Sequence, residues 1–282
     1  MGRLLLQLLF CVPIALSRDI QSKETQLIDP RAIIDPSARL AEGVSVGPWS
    51  IIGAGVEIGA GTIIEPHVIV KGPAYIGENN HIFQFSSVGE ATPDLKYKGE
   101  ETCVRIGDNN VIREGVTIHR GTVQDRSETS IGHNNLIMAY AHVGHDSVIG
   151  DNCILVNNAS LAGHVQVGDW AILGGYSLVH QFCNVGAHCF TGMGSVIGKD
   201  VPAYVMVSGN PAAAKSINSE GLRRRGFTKE EIAVINKCFK LVYRRGLTVD
   251  EALRELELLA INCEPVNLLI ESLKSSTRGI VR

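Results

Sequence analysis

An aliphatic residue stands at every sixth position for most of this chain, and that period admits few folds. Ile28, Ile34, Leu40, Val46, Ile52, Ile58, Ile64, Val70, Ile76, Ile82 and Val88 fall six apart without a break. The phase resumes at Ile106, Ile112 and Ile118, eighteen residues after Val88. It shifts by one residue and then runs from Ile131 through Ile137, Val143, Ile149, Leu155, Leu161, Val167, Leu173 and Val179 to Val185. Thr191 interrupts it and Ile197 restores it. An amphipathic helix repeats about every 3.6 residues and a half-buried strand about every 2, so neither fits alone. A short strand and a tight corner, repeated, does fit. The aliphatic side chain points inward and stacks on its counterparts. Glycine often follows it, as in Val46-Gly47, Ile58-Gly59 and Ile106-Gly107, and glycine and asparagine are expected to permit the corner backbone. Three hexads close one triangular coil of eighteen residues, giving a mainly β chain wound as a parallel β-helix. With strands about 4.8 Å apart, residues 28–197 make a prism roughly 45 Å long.

Composition agrees. Aromatic residues are only 5% and glycines number 30, which suits a repetitive β structure better than a conventional globular core. A net charge of −3 argues against nucleic acid as a partner. The seven cysteines are odd in number and form no C-x-x-C pair. Free thiols in a reducing compartment, the cytoplasm, follow from that. Residues 1–26 stand outside the repeat. Arg3 precedes an apolar run, Leu4 to Leu16, and Ala15-Leu16-Ser17 resembles a cleavage site. Such a run is too short to span a membrane. It reads as a secretory signal, or as a misassigned start or dispensable extension before the repeat that opens at Leu27, and the free cysteines favour the latter.

Two polar excursions, Glu90–Arg105 and Arg120–Ser130, interrupt the repeat, and loops on a solenoid are where binding groups collect. After Pro211-Ala212 the pattern becomes helical. Thr228-x-x-Glu231 and Thr248-x-x-Glu251 are capping boxes. They predict helices over about Lys229–Arg245, stopped by Gly246, and Val249–Asn262, with Pro265 opening a third. The expected division is therefore an extension over 1–26, a solenoid over 27–212 and a helical domain over 213–282. Arg223-Arg224-Arg225 and Arg244-Arg245 make the tail basic. That is either an ordinary solvated face or a site for phosphate or an acidic partner protein.

Chemistry concentrates in Ala141-His142-Val143-Gly144-His145-Asp146, followed at coil-like distances by His164 and His180-Gln181. Imidazole titrates near neutral pH and can take a proton from a hydroxyl, and a neighbouring carboxylate can fix its tautomer. His145, Gly163 and Gln181 are eighteen apart, so they form one column, with the glycine leaving room for a substrate. Neighbouring strand residues face opposite sides, so Asp146 reaches His145 only at a corner or through an adjoining coil. Isolated from the repeat, the same residues would read as surface histidines on a loop.

Several segments occur together: Asp94-Leu95-Lys96-Tyr97, Thr117-Ile118-His119-Arg120-Gly121-Thr122, Leu161-Ala162-Gly163-His164, Val179-His180-Gln181-Phe182, Gly221-Leu222-Arg223-Arg224-Arg225-Gly226-Phe227 and Ser276-Thr277-Arg278-Gly279. With the repeat, this ordered set resembles the bacterial UDP-N-acetylglucosamine acyltransferases of the hexapeptide-repeat superfamily, from Leu27 to Arg282. The resemblance implies a left-handed coil and a cytoplasmic homotrimer with sites between neighbouring subunits. It also implies transfer of a 3-hydroxyacyl group from acyl carrier protein to the 3-hydroxyl of UDP-N-acetylglucosamine, the first step of lipid A synthesis. On it, His145 is the general base and Asp146 its orienting carboxylate. Asp94, Lys96, His142 and Gln181 contact the sugar or its phosphates. Asn218, Glu220 and Arg224 serve the nucleotide side, although Ile217 and Ser219 depart from the family pattern. His164 and His180 are acyl-side or supporting groups, His119 lies at the same cleft, and Met193 ends the acyl groove as in members that use a ten-carbon donor. Backbone N–H groups near Gly163 are candidates for the oxyanion. No cofactor, metal or covalent enzyme intermediate is required.

Other readings are weaker. A γ-carbonic-anhydrase-like solenoid would gather His142, His145 and His164 on a metal, which leaves Asp146, the first loop and the basic tail without a role. An N-acyltransferase of the same pathway usually carries an extra N-terminal domain that 26 residues cannot supply. A purely structural solenoid needs no histidine column.

Overall fold

A computed structural model describes residues 27–282, so the expectation for the first 26 lies outside it. The described chain winds into three parallel sheets of nine, eight and ten strands, most of them only two residues long. In each strand one member points inward. Val143, Leu161 and Val179 are buried, while His142, Ser160 and Leu178 on the same strands face out. Burying such a side chain is worth about 1.5–3 kcal/mol, and the period repeats that gain on every face of every coil. The coil is left-handed, against the sense ordinary parallel crossovers take.

Register shows where the repeat yields. His142 pairs with Ser160, eighteen residues on, but Ser87 pairs with Thr117 and Thr117 with His142, at spacings of 30 and 25. The extra residues leave as loops between Glu90 and Cys103 and between His119 and Glu128, and the stack continues unbroken above each. Both excursions read from the sequence are thus insertions at one edge of the prism.

Corner chemistry meets the expectation in part, with Asn79, Asn109, Asn134, Asn152, Asn158 and Gly43, Gly55 and Gly61 in left-handed corners. Glycines after the aliphatic residues mainly mark close approach of the next coil: a Cβ on Gly59 would meet the carbonyl carbon of Gly77 at 2.6 Å. The left-handed corner conformation itself is often held by large residues, among them Trp49, Phe85, Tyr140 and Trp170. An L side chain in that region is strained. Stacking offsets part of the cost, since Trp49, His67 and Phe85 lie face to face at 5.2 and 5.6 Å between centroids on successive coils.

The sheets run on past residue 212. Val205–Ser208 adds in parallel to Phe190–Thr191, and Ala213–Ile217 folds back antiparallel on Val205–Ser208. Four helices follow: α1 Ser219–Arg224, α2 Lys229–Arg244, α3 Val249–Ala260 and α4 Val266–Lys274. Both capping boxes form, and Gly246 with φ 70° ends the α2 turn. α2 turns Ile235, Cys238, Phe239 and Val242 inward. The tail is tied to the prism by Tyr204 Oη donating to the Pro265 carbonyl at 2.8 Å and by the Ala203 N–H donating to Ser272 Oγ at 3.0 Å. All six cysteines among the described residues are free. No helix among these residues is long and apolar enough to cross a membrane.

Candidate active site

His142-Val143 ends a strand of the nine-stranded sheet, and His145-Asp146 is the corner that follows. Asp146 adopts φ 58°, so the chain turns between the two residues and both side chains meet. His145 Nδ1 lies 2.9 Å from Asp146 Oδ2. An ionised carboxylate only accepts, so Nδ1 carries a proton, and in the neutral ring it is Nε2 that holds the lone pair. Asp146 is buried, and its carboxylate also accepts from the Thr122 N–H at 2.9 Å, the Thr122 hydroxyl at 2.7 Å and the Arg126 N–H at 3.2 Å. Burial pushes this carboxyl up, but the bonds from His145 and Thr122 outweigh it and hold it below its ordinary value.

The His145 ring leans over Gly163 on the next coil. A Cβ there would stand 2.5 Å from both Cε1 and Nε2. The glycine makes room first for the base itself, which corrects the expectation that it makes room for substrate. One residue on, His164 meets His145 edge to face at 4.8 Å and stacks on Phe182 at 4.2 Å. Its Nδ1 is 2.7 Å from Asp125 and 3.9 Å from Asp146. His142 hydrogen-bonds the Thr117 hydroxyl at 2.7 Å and touches His119 edge on at 5.1 Å. Burial, then the charges of His119 and His145, push His142 down to about 4, and burial lowers His119 as well. Both are neutral at pH 7. Glu90, paired with Lys71 at 2.6 Å, faces His119 and is held low by that lysine.

The first loop brings Asp94 and Lys96 to this corner. Together with Thr122, Asp125, His164 and Phe182 they line a cavity of about 500 Å³ that Ser275 and Thr277 of the tail also line. Gln181 and His180 are exposed on the coils above, with His180 Nδ1 3.1 Å from the Gln181 carbonyl. Four expected residues, Asn218, Glu220, Arg224 and Met193, are elsewhere. Asn218 caps α1 and donates from Nδ2 to the His188 carbonyl at 3.0 Å, on the corner between the eight- and ten-stranded sheets. Glu220 on the same helix pairs with Arg223 and Arg224 at 2.7 and 2.8 Å, which lower its carboxyl to about 2. Met193, 82% exposed, lies past Phe190–Thr191 on the corner between the ten- and nine-stranded sheets. One chain therefore spreads the expected residues over three edges.

Residues that sequence reasoning passed over are Thr117, Thr122, Asp125, Lys71 and Glu90, and the pair His188–Arg225. Signals existed for most of them: Glu90 opens the first excursion, Thr122 and Asp125 lie in the second, Thr117 begins one of the segments noted above, and Arg225 belongs to the basic triplet, while Lys71 and His188 had none. Donor atoms of His145, Asp146 and His164 lie within 4.8 Å of one another, close enough to share a metal ion. The residues fit that poorly, because both Nδ1 atoms are engaged by carboxylates and Asp146 is saturated by Thr122 and Arg126. His142, the third histidine of the metal-binding reading, is turned to Thr117 instead.

A hexapeptide solenoid with a carboxylate-supported histidine at an open corner defines a hexapeptide-repeat transferase. The family described as bacterial transferase hexapeptide (six repeats) matches residues 128–163, and that described as Udp N-acetylglucosamine O-acyltransferase; Domain 2 matches residues 200–281. A protein of Stutzerimonas stutzeri named acyl-[acyl-carrier-protein]–UDP-N-acetylglucosamine O-acyltransferase is 68% identical over 91% of this chain and 99% of its own length. One of the same name from Saccharophagus degradans is 69% identical over 90% and 99%. Among solved structures, LpxA of Acinetobacter baumannii is 51% identical with a TM-score of 0.90, covering 91% of this chain and all of that one. UDP-N-acetylglucosamine acyltransferase of Arabidopsis is 38% identical with a TM-score of 0.80, over 90% and 99%. The chain belongs to the acyl-[acyl-carrier-protein]–UDP-N-acetylglucosamine O-acyltransferase family.

Proposed function

We propose that the protein transfers a 3-hydroxyacyl group from acyl carrier protein to the 3-hydroxyl of UDP-N-acetylglucosamine, opening lipid A synthesis in the cytoplasm. The observation that carries this reading is the His145–Asp146 pair, with Nδ1 bound at 2.9 Å and Nε2 free beside Gly163. A sugar hydroxyl is a poor nucleophile at neutral pH. His145 Nε2 takes its proton as the oxygen attacks the thioester carbonyl. Asp146 stabilises the imidazolium, and backbone N–H groups near Gly163 hold the oxyanion. The carbon–sulfur bond then breaks and the thiolate leaves with the proton from Nε2. Such general-base help is typically worth about 10²–10⁴ in rate.

Asp94, Lys96, His142 and Gln181 bind the sugar and its phosphates in this proposal, with His119, His164 and His180 supporting the cleft and the acyl side. Asn218, Glu220 and Arg224 bind the nucleotide from a neighbouring subunit of a homotrimer, a reading that their separate edge supports. Met193 closes the acyl groove. The test is turnover of UDP-N-acetylglucosamine with a ladder of 3-hydroxyacyl carrier proteins. Wild type should favour the ten-carbon donor, and His145→Ala should lose at least about a hundredfold in kcat while remaining folded. Near-normal turnover by that variant removes His145 as the base, and no transfer by wild type removes the function. Each methylene that Met193 excludes forfeits about 0.8 kcal/mol, so Met193→Gly should shift kcat/KM toward a fourteen-carbon donor by more than about tenfold.

A further inference from the structure

Two histidines compete for one buried carboxylate. Asp146 Oδ2 lies 2.9 Å from His145 Nδ1 and 3.9 Å from His164 Nδ1, so both rings stand near one oxygen. The loop between His119 and Glu128 decides between them. It narrows at Gly121, where a Cβ would collide with the backbone of Ser127 and Glu128, and it closes through the Ser127 N–H donating to the Thr122 carbonyl at 2.9 Å. That neck sets Thr122 against Asp146. The Thr122 N–H spans both carboxylate oxygens at 2.9 and 3.0 Å, and the hydroxyl donates to Oδ2 at 2.7 Å, the same oxygen that holds His145. From the far side of the loop Asp125 occupies His164 Nδ1 at 2.7 Å.

We propose that Thr122 is a positioning residue for the base: its hydroxyl pins Asp146 Oδ2 on His145, holding the imidazole with Nε2 unprotonated and facing the cleft. This rests on the assignment of His145 as the base. Nothing in the hexad pattern calls for a threonine here, because position 122 lies outside the repeat. Thr122 is 1% exposed, and among the described residues Asp146 is the partner of its hydroxyl. Without it, Oδ2 loses its one side-chain donor from the loop, and the carboxylate is free to turn toward His164. Other charged or titratable groups around the pair are Asp125 beside His164, Asp94 and Lys96 across the cavity, Arg126 on the loop, His142 and His119 beside His145, and Glu90, paired with Lys71, facing His119.

Thr122→Val, Thr122→Ala and Thr122→Ser separate the hydroxyl from the methyl and from the backbone N–H. All three are measured for kcat, KM for the sugar nucleotide, the pH profile of kcat/KM, and thermal midpoint. Valine and alanine should lower kcat about tenfold with KM changed less than about twofold, the size expected for one hydrogen bond to a charged group. The acid limb of the profile should move down in both, because a carboxylate that has turned toward His164 no longer stabilises protonated His145. Serine should restore both. Wild-type kcat with an unmoved limb in valine and alanine, or serine as impaired as alanine, overturns the role. If valine fails to fold, the serine–alanine contrast decides. Transfer by wild type in the same assay keeps a failure here distinct from a failure of the proposed reaction.

Discussion

Gly163 is the residue whose identity the site depends on most after the base. Its neighbour in space is the reacting edge of His145, so any side chain displaces Nε2 before it disturbs the fold. Gly163→Ala should leave the thermal midpoint within a few degrees and lower kcat by about tenfold to a hundredfold, the scale on which misplacing a catalytic group by 1 Å acts. Unchanged kcat would mean that the ring has slack that the packing does not suggest. Asp146 makes a related point. Its backbone, in the left-handed region at φ 58°, is what lets consecutive residues face each other. The sequence left a corner or an adjoining coil as the two ways for them to meet, and the left-handed turn at Asp146 is the corner.

At the scale of elements, the corners carry more than the strands. Trp170, His188 and Tyr204 stack on successive coils at 6.4 and 5.5 Å, with Arg225 bonded to His188 Nδ1 at 3.1 Å and α1 capped beside them by Asn218. Burial, and then Arg225, push His188 down to about 4 from 6.5. Between those values the unfolded chain binds a proton that the folded chain refuses. The stability this contributes is complete above pH 6.5 and is lost as pH falls toward 4. Glu220, already low at about 2, adds its loss mainly below that window. His188→Phe should keep the stack and flatten the decline of the melting temperature between pH 7 and 5, and an unchanged slope would place the proton uptake elsewhere. The strands, the capping boxes and the two loop insertions were all legible in the sequence, because each follows a fixed period or spacing. The short helix α1 was not expected, although Asn218 as cap, Glu220 in the first turn and Arg223 and Arg224 in the last are its signals. The partners of Asp146 and His164 were illegible for a different reason: loop residues outside the repeat have no period to place them. The basic triplet also separates, with Arg223 and Arg224 tied to Glu220 and Arg225 half-buried over Trp170.

For the whole molecule, His145 and Arg224 lie on different edges of one prism, and the proposed trimer would join them across an interface. Co-expressing His145→Ala and Arg224→Ala chains tests this. Each variant alone should be nearly inactive, while random mixed trimers should regain about a quarter of the wild-type sites, those pairing an intact half from each. No recovery in verified mixed trimers would place both residues in one subunit's site. The uninterrupted register above each inserted loop has one more consequence. The prism is graduated: everything fixed to it is spaced in units of one coil, about 4.8 Å, which is roughly the length of four methylenes. An acyl groove laid along the axis is measured on that scale. Moving its stop by one graduation would change the accepted chain by about four carbons at once, and only the size of the side chain at the stop can set lengths in between.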